Sequence, residues 1–114
     1  MGNQLTIRVT PGPVRVLVMV AGDCDATTGR QFRDALMSQG SRGASRLIVD
    51  LSGLAFMDSA GAHVLANLKT VLTARGGSLV LVSPQPIVAR VLSLMGIDEL
   101  IPVVSTLAEA LALG

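Results

Sequence analysis

The chain has 114 residues, enough for one modest core, and half of them are apolar while 15% are charged, which excludes a disordered chain. Nine basic against eight acidic residues leave a net charge of +1, and the two aromatics, Phe32 and Phe56, offer no base-stacking platform. A nucleic-acid-binding face is thereby excluded. The single cysteine, Cys24, permits no internal disulfide, and no apolar run is long enough to span a bilayer, so a cytoplasmic protein of one domain, residues 1–114, is expected.

Leu5, Ile7 and Val9 alternate with polar residues as in a half-exposed strand. Pro11-Gly12-Pro13 turns the chain, and Val14, Val16, Val18 and Val20 form a second strand that closes an antiparallel hairpin. Thr28 and Gln31 have capping-box spacing ahead of a helix striped by Phe32, Ala35 and Leu36, which Gly40-Ser41-Arg42-Gly43 ends. Arg46 to Leu51 is a β-branched run suited to a central strand, followed by a loop from Ser52 to Asp58. A second helix carries Val64, Leu65, Leu68, Val71 and Leu72 and stops at Gly76-Gly77. Ser78 to Ser83 is a further strand, and Pro86 opens a third helix that Gly96 ends. Leu100 to Val104 reads as a short edge strand containing Pro102, and Thr106 with Glu109 caps a last helix. The order ββαβαβαβα predicts an α/β domain with a mixed sheet, an N-terminal antiparallel hairpin followed by parallel crossovers, and about four helices.

Three kinds of chemistry fit poorly. Asp23, Asp25 and Asp50 fall near strand ends, as in a phosphoacceptor receiver, but Lys69, the one lysine, lies mid-helix. Asp25 as a helix cap and Asp50 as a partner of loop backbone explain them better. Ser59 lies in Met57-Asp58-Ser59-Ala60-Gly61, which is no nucleophile elbow, and His63, the one histidine, sits four residues on in the same helix. No glycine-rich phosphate cradle occurs. What remains is Ser59 as a target for modification. At the first turn of a helix a phosphate meets unpaired backbone N–H groups and adds about −1.5 to −2 charges beside Asp58. On position alone, an ordinary helix-cap role accounts for a serine there better.

The stretch Leu47 to Gly61, with Asp50-Leu51-Ser52 and Asp58-Ser59-Ala60-Gly61, resembles the STAS-domain family, in particular the bacterial anti-sigma factor antagonists. Gly22-Asp23-Cys24-Asp25 and Met95-Gly96-Ile97-Asp98 are similar to further family motifs, so the likeness extends from about Leu5 to Leu111. It implies a STAS-like fold with helices mainly on one side of the sheet, and it implies Ser59 as the phosphoacceptor. It further implies a non-enzymatic, cytoplasmic phosphoprotein of stress-response transcription control. Such a protein needs no cofactor, holds no metal and acts as a monomer or weak dimer. The unphosphorylated form would bind an anti-sigma factor serine kinase of ATPase fold, releasing a sigma factor. A metal-dependent serine phosphatase would reset it. Asp23, Asp25, Met57, Asp58, Ser59 and Gly61 fall at the implied partner surface, with His63 and Val64 beside them. Asp23 stands where the family often has Glu, and Ala60 replaces a frequent second hydroxyl. The alternative role is a STAS scaffold within a larger sensor assembly.

Overall fold

The alternating valines of the second strand and the continuous apolar run of the third do build neighbouring strands of one sheet. The computed structural model describes residues 4–42 and 46–113, so Gly43 lies outside the described residues. The elements are β1 (Thr6–Thr10), β2 (Arg15–Cys24), α1 (Gly29–Ser41), β3 (Arg46–Met57), α2 (Ser59–Ala74), β4 (Ser78–Val82), α3 (Pro86–Leu94), α4 (Ile97–Leu100), β5 (Val103–Val104) and α5 (Leu107–Ala112). The sheet keeps chain order, β1-β2-β3-β4-β5, with β1 antiparallel to β2 and every later pair parallel.

That order dictates where the helices go. Crossovers of one hand in a sheet whose order never reverses all land on the same face. Phe32 and Leu36 of α1, Leu65, Leu68 and Leu72 of α2, Val88 and Leu92 of α3 and Ile97 of α4 accordingly share one core with Val18, Val20, Leu47, Val49, Leu79 and Leu81. α5 is not a crossover, and it takes the other face, where Ala110 packs on Ile48, Val80 and Val82. Over the first half of β3 the alternation holds: Leu47, Val49 and Leu51 face the large core and Ile48 the small one.

Four sequence expectations are corrected. The segment from Ser52 is not a loop but the second half of β3, paired with β2 through Gly53–Ala21, Leu54–Gly22, Phe56–Asp23 and Met57–Cys24. Leu100 to Val104 is not one strand, because Ile97–Leu100 winds into α4 after Gly96 (φ 71°), and β5 keeps two residues. Among the described residues this raises the helices from four to five. Thr28 and Gln31 form no capping box: the Thr28 hydroxyl donates to the Asp23 carbonyl at 2.7 Å, and the Gln31 amide reaches back to the Leu5 carbonyl at 2.9 Å. Asp25 does not cap α1 either, since its carboxylate accepts from the Thr27 N–H and hydroxyl at 2.9 and 2.7 Å.

Candidate functional site

β2 and β3 outrun β4, whose pairing with β3 ends at Asp50–Val82. Beyond that rung β3 pairs with β2 alone, β1 flanking β2 as far as Ala21, and the two lead to the starts of α1 and α2. Their register shifts twice, between Met19 and Ala21 and between Gly22 and Asp23, each time leaving an extra residue on β3. Those two insertions convert the twofold alternation of β3 into a spacing of three, so Leu51, Leu54 and Met57 are all buried. Gly22 carries φ 100°, and a Cβ there would run into the Gln4 carbonyl. Only glycine fits that point.

The last rung, from the Asp58 N–H to the Cys24 carbonyl at 3.0 Å, delivers the chain to α2. Asp58 is the N-cap, with extended backbone, and its Oδ1 accepts from the Gly61 N–H at 2.9 Å. Ser59 is therefore the first helical residue. It is exposed, and among the described residues its hydroxyl makes no hydrogen bond. Capping by Asp58 leaves the serine oxygen outside the structural network of the helix start.

Beneath the hydroxyl the packing is tight. Met57 and Cys24 are fully buried, and a Cβ at Gly61 would lie 2.7 Å from Cys24 Sγ and 3.1 Å from Met57 Cγ. The Cys24 thiol is pushed up to about 12, first by burial and then by the charges of Asp58 and Asp25. It stays protonated near neutrality and fills space. Asp25 is held below the usual carboxylate range, chiefly by the Thr27 hydroxyl and then by backbone N–H groups.

The site residues thus divide in two. Asp25, Asp58, His63 and Val64 line a shallow groove of roughly 480 Å³ between α1 and α2, beside Ser59. Val64 contributes little surface, being 8% exposed. Asp23 is half-buried on β2, and its carbonyl anchors Thr28. Met57 and Gly61, expected at the partner surface, are sealed inside, because the spacing of three turns Met57 inward and Cys24 leaves room for nothing larger than glycine. They position the surface without forming it. Asp50 does not join the other carboxylates: it faces away from α1–α4 and accepts from the Ser52 N–H at 2.9 Å. The groove adds Arg30, Arg33 and Asn67, which the sequence reading missed. The available signal was the polar stripe of α1 opposite Phe32 and Leu36.

The chain matches the STAS domain family over residues 4–110. It is 33% identical over 102 residues to a Mycobacterium tuberculosis protein given the provisional name anti-anti-sigma factor Rv2638, covering 87% of this chain and 68% of that one. The fold superposes on the crystal structure of an anti-sigma factor antagonist from Mycobacterium paratuberculosis with a TM-score of 0.87, at 28% identity, covering 96% of this chain and 92% of that one. It also superposes on the phosphorylated form of the Bacillus cell fate determinant SpoIIAA, with a TM-score of 0.72 at 23% identity, over 94% of this chain and 97% of that one. With its five-stranded mixed sheet, the chain belongs to the STAS domain family. Within it, the named relatives and neighbours above place it with the anti-sigma factor antagonists.

Proposed function

We propose that the chain is a partner-switching antagonist: with Ser59 free it binds an anti-sigma factor, and phosphorylation of Ser59 by that partner, a serine kinase, ends the contact. A phosphatase returns it to the binding form. The observation that carries this reading is the Ser59 hydroxyl, exposed at the first residue of α2 and unused by the fold. The neighbour solved in a phosphorylated form supports it.

The electrostatics give the switch its sign. Added phosphate would find unpaired N–H groups at the helix start, so the fold accommodates it. The same group brings about −1.5 to −2 charges next to Asp58 and Asp25, at the mouth of the groove, where a partner must shed water to dock. A loss of ~3 kcal/mol there weakens binding about a hundredfold.

Ser59 acts as a substrate in this scheme. The His63 imidazole makes no hydrogen bond among the described residues, so nothing couples it to the serine as a general base. No described helix is long and apolar enough to cross a membrane, and a reduced, buried Cys24 suits a cytoplasmic setting.

The test is a pull-down with the unmodified chain, followed by identification of the kinase retained and of phosphate on Ser59. Ser59→Ala should hold the partner and take no phosphate, and Ser59→Asp should weaken binding. Equal retention by Ser59→Asp and the native chain, or no Ser59 phosphate under any growth state, would remove the switch.

A further inference from the structure

At the opposite end of the sheet, where the parallel strands begin, charge is arranged without compensation. Arg15 and Arg46 open β2 and β3 and stand directly opposite each other in register, with Ser78 of β4 next in the same row. Their Cα atoms are thus about 4.8 Å apart across the strand pair and their side chains share a face. Like charges so placed repel. Lys69 of α2 reaches the same spot, and the three cations, all half-buried, border a cavity of roughly 200 Å³. No acidic residue lines it.

The hydrogen bonding is incomplete as well. Arg15 donates one bond, from a terminal nitrogen to the Leu111 carbonyl at 3.3 Å near the end of α5, which fixes the guanidinium over the cavity. Its Nε is buried and unpartnered, and it is the one buried side-chain nitrogen or oxygen among the described residues in that state. A buried N–H without an acceptor is costly. The side chains of Arg46 and Lys69 take part in no hydrogen bond or ion pair among the described residues. Three positive groups therefore converge with a serine hydroxyl on a small space, with one carbonyl as their sole acceptor. The rest of the wall, including Pro102 and Leu113, is apolar.

We infer that this cavity binds a small oxyanion, a phosphate or carboxylate group, held by Arg15, Arg46 and Lys69. The repulsion between the arginines becomes bridging once an anion sits between them, and Arg15 Nε gains its acceptor. The volume limits the ligand to a phosphate ion or a carboxylate on a short hydrocarbon chain, well below the usual size of a cofactor site. The site lies at the far end of β3 from Ser59 and is independent of it.

The test is a titration of the isotope-labelled chain with sodium phosphate and, separately, sodium hexanoate, with ionic strength held constant by chloride. Saturable amide shifts at Arg15, Arg46, Lys69 and Ser78, with a rise in melting temperature, are expected from one of them, and the arm that saturates identifies the head group. Arg46→Gln and Lys69→Gln should each weaken that binding about tenfold, the loss of one charge-assisted contact. Without either anion, Arg46→Gln should melt higher than the native chain, because the opposed pair is gone. Lys69→Gln carries the comparison if Arg46→Gln does not fold. Absence of saturable shifts with both anions, or undiminished binding in the variants, overturns the proposal.

Discussion

The two ends of the sheet treat charge in opposite ways. At the Ser59 end the carboxylates are all in use: Asp58 caps α2, Asp25 closes on Thr27, and the exposed hydroxyl is left over. At the Arg15 end the cations are in surplus and the fold supplies almost nothing to meet them. One end is complete as it stands and can be perturbed by adding an anion; the other is incomplete and is satisfied by one. A net charge of +1 conceals this separation, because charge summed over a chain carries no record of position.

Breaking the Ser59 end from beneath should give the largest effect. Gly61→Val drives side-chain atoms into Cys24 and Met57, and overpacking of this kind should cost about 2–3 kcal/mol in denaturant unfolding and abolish partner retention. The intact hydroxyl would then be present on a displaced helix start, which separates its chemistry from its placement. Asp58→Ala should cost about 1 kcal/mol through loss of the cap, while Asp58→Asn, still an acceptor, should lose a few tenths.

A pH series sharpens the comparison further. The Cys24 thiol ionises near its ordinary value in the unfolded chain and only at about 12 in the folded one. Its contribution to stability is therefore whole below about 9 and falls away as pH rises toward 12, since the unfolded state alone gives up the proton there. Melting temperature should decline over that window, and Cys24→Ala should flatten the decline. Asp25 works in the other direction: its lowered folded value makes its contribution present above the ordinary carboxylate range and lost on acidification. Of the two cap deletions the smaller effect belongs to α5, where Thr106 accepts from the Glu109 N–H at 3.1 Å. Thr106→Ala should cost about 0.5 kcal/mol, the low end for a cap on a short exposed helix, and should leave Ser59 phosphorylation unchanged.

Much of this was legible in the residues. Strand alternation placed β1 and β2, a β-branched run marked β3, and the tetrapeptide around Ser59 marked the site. The second half of β3 was not legible, because past Val82 it has one neighbour instead of two, and the two inserted residues break the period that identifies a strand. For the same reason Met57 passed for a surface residue: its inward turn follows from the register with β2, and register is a property of the pair. α4 was hidden by its length, four residues between Gly96 and Pro102, with Ile97 and Ile101 buried and Leu100 exposed. Thr28 shows how tertiary contacts override a local motif. Its hydroxyl serves the Asp23 carbonyl, so the box written in the sequence never closes. The cation cluster could not be read at all, since residues 15, 46 and 69 meet only through strand pairing and the descent of α2.

The shape of the sheet's margins has a consequence for how such a molecule behaves in a crowded cell. On one border β5 offers two residues and is preceded by Pro102; on the other, β1 presents Arg8 between threonines and runs into Pro11-Gly12-Pro13. Borders cut short or charged in this way give a foreign strand little to zip onto. Association is thereby steered from the ladder to side-chain surfaces, where a single modification can reverse it.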